Sequence, residues 1–311
     1  MTNSSSKKHV PGYIALYESG ELDKRVHKAL VGLKSCTVCP WECKIDRLAN
    51  EKKICITGRY ANVSSYFSHF GEENCLRGWK GSGTIFFACC NLHCVFCQNH
   101  DISQVDSGME VQPKDLAGMM IGLQKDGCHN INFVTPEHVV PQILEALPFA
   151  IRDGLNLPII YNTGGFDSLE SIQLMDGIVD VYMPDFKYWY PETAKRYLRA
   201  EAYPKAARRA FTEMHRQVGP LTFNEEGIAV RGVLVRHLVM PDGLDDTGEI
   251  MKFLAGELSP DTYVNIMAQY RPEYKVGRQA YGEINRGVTM EEMKEAYRLA
   301  TAAGLHRFDV R

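Results

Sequence analysis

The chain has no apolar run approaching the ~18 residues a membrane helix needs, no marked excess of either charge, and almost no cysteine outside one stretch. Lys and Arg number 35 against 38 Asp and Glu, a formal net charge of -3 over 311 residues. That balance leaves no global basic field to hold nucleic acid or an anionic membrane surface. The opening Met-Thr-Asn-Ser-Ser-Ser-Lys-Lys lacks the apolar core of a secretion signal, which predicts a cytoplasmic protein. With 45% hydrophobic and 23% charged residues, the composition excludes wholesale disorder and fibrous repeats. No internal repeat stands out, and the only low-complexity segment is the Ser-rich first six residues. Ten cysteines are too few for a disulfide-dense scaffold. Nine of them lie between Cys36 and Cys97, and without a secretion signal such clustering predicts metal or redox sites rather than disulfides.

The pattern divides the chain into a Cys-rich arm, residues 1–80, and a regular α/β part, residues 81–311. From Lys34 to Lys80 periodicity is sparse, with a short strand expected at Val63–Phe67. Beyond Gly81, six apolar runs predict buried strands: Thr84–Ala88, Ile131–Thr135, Pro158–Thr163, Val179–Asp185, Gly232–Met240 and Thr262–Gln269. Helical stripes fall between them. Leu116, Met119, Met120 and Leu123 follow Pro113 and precede Gly127, and Asp167 with Glu170 has capping-box spacing. Pro204 opens a helix carrying Ala207, Ala210, Phe211, Met214 and Val218. Ile250, Phe253, Leu254 and Leu258 form another stripe, and Thr289 with Glu292 caps a last helix ending near Gly304. Strands alternating with helices imply a parallel sheet, and six units imply a partial (β/α)6, TIM-like barrel.

The first strand runs into Cys90-Asn-Leu-His-Cys94-Val-Phe96-Cys97, a C-x3-C-x2-C loop. Three thiolates there can hold three irons of a [4Fe–4S] cluster and leave the fourth open; an open position marks a reactive rather than a structural site. The plainer alternative is a Cys3His zinc site completed by His93 or His100. Cys89 would give the wrong spacing and reads as a buried neighbour. The spacing, Phe96, and the string Gly81-Ser-Gly-Thr-Ile-Phe-Phe87 ahead of it resemble the radical S-adenosylmethionine (SAM) superfamily, and within it the pyruvate formate-lyase activating enzyme-like, PflX-type branch. The likeness runs from about Cys36 to Gln269.

That resemblance implies an oxidoreductase in which SAM chelates the open iron of the cluster at Cys90, Cys94 and Cys97. Reductive cleavage then gives a 5′-deoxyadenosyl radical that abstracts hydrogen from a protein or small-molecule substrate, including a glycyl-radical enzyme. It implies a low-potential electron donor such as a flavodoxin or ferredoxin. It also assigns rim residues: Asp185 and Lys187 as an Asp-x-Lys motif beside the methionine moiety, Asn162 and Thr163 near the ribose, Arg236 for the SAM carboxylate, and Gln269, with Tyr270, at the adenosine. Where the superfamily carries Gly-Gly-Glu, this chain has Thr135-Pro136-Glu137, and Thr135 is left to present its carbonyl or hydroxyl to the SAM amino group. In His69-x-Gly-Glu-Glu the simpler reading is a capped turn.

Cys36, Cys39, Cys43 and Cys55 form a second set, C-x2-C-x3-C-x11-C. Four thiolates close the coordination of a zinc ion or of a second [4Fe–4S] cluster, and a metal would order a segment poor in apolar periodicity. Cys75 and Cys128 read as small buried residues. The alternative for the whole chain is a non-catalytic iron–sulfur or zinc protein acting in electron relay or partner binding.

Overall fold

A computed structural model describes residues 10–277 and 280–309. The Ser-rich opening, and the outermost residues of the two expected divisions, lie outside the described residues. The strands are β1 (Ala61–His69), β2 (Ser82–Phe87), β3 (Met109–Val111), β4 (Ile131–Val134), β5 (Ile159–Thr163), β6 (Val181–Pro184), β7 (Thr222–Phe223), β8 (Ala229–Leu238), β9 (Tyr263–Met267) and β10 (Arg307–Phe308). They form one sheet in the order β10-β9-β8-β6-β5-β4-β2-β1-β3, with β7 attached to β8. From β2 to β10 the strands of that path pair in parallel. β1 turns back antiparallel on β2, and β3 on β1. This is an α/β fold with a largely parallel sheet.

The six expected barrel strands are all present, each within a few residues of its apolar run. They are short and apolar because both faces are covered. Ile85, Phe87, Ile131, Phe133 and Tyr161 belong to the large core shared with the helices. Ile160, Val181, Met183 and Leu234 join Cys75 and Leu76 in a smaller core. The expected stripes are buried in the helices Pro113–Lys125, Tyr203–Val218 and Leu244–Phe253, the last continuing as a π-turn over Leu254–Leu258. Thr289 and Glu292 make the capping box of Met290–Ala303, which stops at Gly304 at φ 106°.

Two features depart from expectation. Asp167 does not cap: Ser168 does, accepting from Ser171 N at the start of Leu169–Leu174. Asp167 is instead drawn inward by the Tyr161 and Thr163 hydroxyls, each 2.7 Å away. Val140–Arg152 is a helix with eight buried residues and two prolines, one of them internal. In sequence its two prolines, one of them the internal Pro148, read as helix breakers and mask the helical period.

Candidate active site

The loop after β2 leaves the strand at Cys89, whose φ of 67° is a backbone conformation that glycine adopts freely. Its thiol is fully buried between Asn62 and Val105. Three further thiols follow on the loop. Leu92 N donates to Cys90 Sγ at 3.3 Å, Cys97 N to Cys94 O at 3.2 Å, and Cys97 Sγ meets Ser103 Oγ at 3.2 Å. Burial pushes the Cys94 thiol up to about 12 against the pull of Lys187, and the Cys90 thiol up as well, with Glu137 adding to the shift. A metal that takes thiolates must overcome these desolvated thiols, as iron and zinc do. His93 has both ring nitrogens engaged, with Gln104 Oε1 at 2.7 Å and Ile54 O at 3.2 Å. His100 stacks on Tyr274. Neither ring is placed as a fourth ligand for a Cys3His zinc site.

Phe96 packs edge-on to Tyr188 and Tyr270, with centroids at 6.3 and 5.9 Å. The Tyr270 hydroxyl is spent on Ile284 O at 2.7 Å, so only its ring faces the loop. Gln269 lies exposed at the end of β9, its carbonyl accepting from Gln98 Nε2 at 3.2 Å.

Asp185, just past β6, is bracketed by two cations. Lys187 Nζ reaches Oδ2 and Arg236 Nε reaches Oδ1, each at 2.7 Å. Burial alone would raise this carboxyl; Arg236 and then Lys187 overcome it and hold it down at about 2. Burial works against the Lys187 charge too, yet Asp185 and the Cys94 side lift its pKa. Arg236 also donates to Asn162 Oδ1 at 2.9 Å and lies 3.9 Å from Glu72. Arg236, expected at the SAM carboxylate, and Lys187, expected beside the methionine moiety, therefore already share a carboxylate partner. Thr163 is committed as well, donating to Asp167 and accepting from Gly165 N at 3.0 Å.

Thr135 sits at φ 61°, a left-handed backbone conformation that is unusual for a β-branched residue. Its N–H bonds Asn162 O at 2.9 Å, leaving its carbonyl and hydroxyl for the rim. Sequence reasoning passed over Glu137, two residues on. It is fully buried, its Oε1 accepts from Gly164 N at 3.4 Å, and its Oε2 has no partner. Burial first, then Asp167, raises its pKa. A Cβ on Gly164 would meet Glu137 Oε1 at 3.2 Å, Leu92 Cδ1 at 3.3 Å and Lys187 Cε at 3.7 Å, so the absence of a side chain there keeps this corner open. An unpartnered buried carboxyl oxygen near Cys90, three thiols on one loop and a cradle free of Cβ fit a cluster with a polar, amine-bearing ligand.

Residues 84–254, more than half of the chain, match the radical SAM superfamily. The chain belongs to that superfamily. Its membership implies SAM cleavage at an iron–sulfur cluster, with a [4Fe–4S] cluster and SAM as cofactors. An uncharacterized protein of Methanocaldococcus jannaschii, MJ0674, is 35% identical over 287 residues, covering 90% of this chain and 78% of its own. Among solved structures, methylornithine synthase is 12% identical at a TM-score of 0.47, over 72% of this chain and 63% of its own. The hydrogenase maturase HydG from Carboxydothermus hydrogenoformans is 12% identical at 0.48, over 71% and 52%. The chain thus spans less than two thirds of either solved protein. Among the described residues no helix is long and apolar enough to cross a membrane.

The arm packs against the same rim. Cys36, Cys39, Cys43 and Cys55 line one enclosed pocket, with Trp41, Arg47 and His138 among its walls. Ser168 and Ser171 hydroxyls pin the Val38 carbonyl at 3.0 and 2.7 Å. Glu42, Lys44, Asn50 and Ile56 all take positive φ, a density of turns that no sequence periodicity marks. Among the described residues no three His, Cys, Asp or Glu side chains converge as ligands of a single ion.

Proposed function

We propose that the chain is a PflX-type radical SAM enzyme whose cluster is held by Cys90, Cys94 and Cys97. The observation that carries this is the gathering of those thiols at the C-terminal end of β2, beside the unpartnered Glu137 Oε2 and the Lys187–Asp185–Arg236 bracket. When bound, the cluster and SAM supply one-electron cleavage of the sulfonium, giving methionine and a 5′-deoxyadenosyl radical that takes hydrogen from a substrate. The chain's own residues orient and shield. Lys187 keeps ammonium hydrogens beyond its bond to Asp185 and takes the SAM carboxylate. Asp185 and Asn162 hold Arg236 in place beside it. The Thr135 carbonyl and Glu137 receive the amino group. The Thr163–Gly165 turn lets backbone approach the ribose, Gln269 borders the adenosine, and Phe96 with Tyr188 and Tyr270 keeps water from the loop.

The finer assignments belong to the same reading. Residues 81–311 are the catalytic part and residues 1–80 an arm in which Cys36, Cys39, Cys43 and Cys55 bind zinc or a second cluster. The protein works in the cytoplasm, a flavodoxin or ferredoxin supplies the electron, and the hydrogen donor is a glycyl-radical enzyme. The motif likeness over residues 81–99 and at Asp185–Lys187 supports the last point.

The test is anaerobic reconstitution with iron and sulfide, then dithionite and SAM. Wild-type protein should yield 5′-deoxyadenosine and methionine, and Cys90→Ala, Cys94→Ala or Cys97→Ala should each abolish the product. An intact, reducible cluster that never yields 5′-deoxyadenosine would overturn the enzyme reading. Product formed without a glycyl radical in an added partner enzyme would remove the activase assignment alone.

A further inference from the structure

Residues 36–58 contain neither a strand nor an α-helix, only the short 3₁₀ turn Arg47–Ala49. The main-chain bonds that shape the segment bend it around its own cysteines. Lys44 N donates to Cys36 O at 2.9 Å, Cys36 N to Ile45 O at 3.0 Å, and Glu42 N to Cys39 O at 3.0 Å. A segment with so little regular structure needs another source of order, and a metal supplies it.

The size of the cavity enclosed by the four thiols restricts what can occupy it. It is about 10 Å³, room for one body the size of a water molecule. A single ion fits; a [4Fe–4S] cubane does not. Among the described residues the thiols ring the cavity without converging on a point, so an ion must draw them inward by rotation about Cα–Cβ.

Charge says which kind of ion. Arg47 is 1% exposed. Its Nε donates to Gly58 O at 2.9 Å, its Nη1 to His138 O at 2.9 Å and toward Cys36 Sγ at 3.8 Å, while its Nη2 has no partner. Lys53 stands at the exposed lip near the Cys43 thiol, and among the described residues no carboxylate lines the cavity. Neutral thiols or disulfides would leave the guanidinium buried without an anion, which is costly. Four thiolates on a divalent ion carry two net negative charges, matching Arg47 and Lys53. The sulfurs also face donors: the Trp41 backbone N–H and the Asn91 side chain at Cys39, and the Ile54 backbone N–H at Cys43. Such donors favour thiolate over thiol. Zinc keeps its charge at every potential, and so keeps this balance; iron does not.

We propose that the cavity binds a single zinc ion through Cys36, Cys39, Cys43 and Cys55, with Arg47 and Lys53 balancing its charge, and that this ion locks the arm onto the cluster loop. The proposal rests on the metal reading of the arm and not on the chemistry at the barrel. Trp41 Nε1 donates to Asn91 O at 2.7 Å, and Asn91 follows Cys90 directly. On the other side, the Ser168 and Ser171 hydroxyls hold Val38 O. Because zinc has no redox chemistry, the arm is a structural clamp rather than a second station for electrons.

Wild-type protein reconstituted anaerobically with iron, sulfide and zinc should hold about four irons, about four sulfides and about one zinc per chain. Cys36→Ala or Cys39→Ala should lose the zinc and keep the iron. About eight irons without zinc, a folded chain with no arm metal, or an arm holding one iron without sulfide would each overturn the proposal. In the full chain with Cys90→Ala, Cys94→Ala and Cys97→Ala, cobalt(II) offered in place of zinc should give the intense visible absorption of a tetrahedral thiolate site; the weak absorption of an octahedral ion would refute it. If that variant precipitates, the wild-type metal content decides. His138 also lines the cavity, with Nε2 on Ala88 O at 3.2 Å and Nδ1 without a partner. Zinc held undiminished by Cys43→Ala would give that nitrogen the fourth position and refute the four-thiol set. Arg47→Gln should release zinc to a chelator roughly tenfold faster than wild type, and Arg47→Lys at close to the wild-type rate; equal rates in all three would refute the charge balance. Chelation should open residues 36–58 to protease while the barrel resists, and unchanged cleavage would refute the lock. Failure of the enzyme reading looks different: no 5′-deoxyadenosine from wild-type protein that still holds its zinc.

Discussion

The rim and the arm pocket settle their buried charge in opposite ways. At the rim, Lys187 and Arg236 share Asp185, and Glu72 stands 3.9 Å from Arg236. Its charges are balanced by side chains before any cofactor arrives, so a zwitterion such as SAM binds through donors left over on paired groups rather than by filling a deficit. In the arm, Arg47 has no carboxylate at all, and the pocket is electrically complete only with an anionic occupant. A preorganised network suits a site that must bind and release; a charge deficit suits one that keeps its occupant.

The sharpest way to break this contrast is to make the rim resemble the arm. Asp185→Asn keeps the shape but leaves two cations facing a neutral amide. Removing one member of a buried ionic group costs about 3–5 kcal/mol when it leaves a charge unpaired, and here that charge is Lys187, since Arg236 keeps Glu72 at 3.9 Å. Urea unfolding of the metal-free protein should show a loss of that order. A change below 1 kcal/mol would mean that water already screens the bracket and that the rim is not preorganised.

A smaller effect is expected from Lys187→Ala, which leaves Asp185 paired with Arg236. The variant should retain its cluster by iron analysis. Losing one charge-assisted contact to the SAM carboxylate costs ~1.5–3 kcal/mol, raising the SAM concentration for half-maximal cleavage roughly 10- to 150-fold. An unchanged SAM requirement would confine Lys187 to holding Asp185 and shift the carboxylate contact elsewhere on the rim.

What the sequence displayed, and what it hid, follows from range. The barrel strands were legible because burial on both faces writes itself as short continuous apolar runs, and the three-cysteine loop because its ligands lie within eight residues. The charge balance was not legible. Arg236 in an apolar run calls for a buried anion, which the resemblance takes to be the SAM carboxylate, and only the fold brings the Asp185 carboxylate, 51 residues away, onto its Nε. Arg47 and His138 meet across 91 residues, so nothing local in the arm signals a buried cation in its pocket. Asp167 was read as a cap because its spacing to Glu170 is right; Ser168, one residue later, took that role, and Asp167 was claimed by two hydroxyls from β5. The helix Val140–Arg152 stayed hidden because Pro141 and Pro148 read as helix breakers.

The smallest effect, and the one that separates two roles of a single residue, concerns Thr135. Its φ of 61° is strained for a β-branched side chain, at a cost of order 1–3 kcal/mol. Thr135→Gly relieves that strain but loosens the unfolded chain by about 0.4–1 kcal/mol, so the net gain in stability should lie between about 0 and 2.5 kcal/mol. Thr135 N–H bonds to Asn162 O, and glycine keeps both that bond and the carbonyl. If the carbonyl receives the SAM amino group, the glycine variant should cleave SAM with an unchanged concentration dependence. If the hydroxyl does, the dependence should weaken by roughly 3- to 10-fold, the worth of one ordinary hydrogen bond. A stability gain with unaltered SAM dependence would identify the backbone turn, rather than the side chain, as what this chain uses in place of Gly-Gly-Glu. A loss of stability would mean that the Thr135 side chain makes contacts on the rim that outweigh its strain.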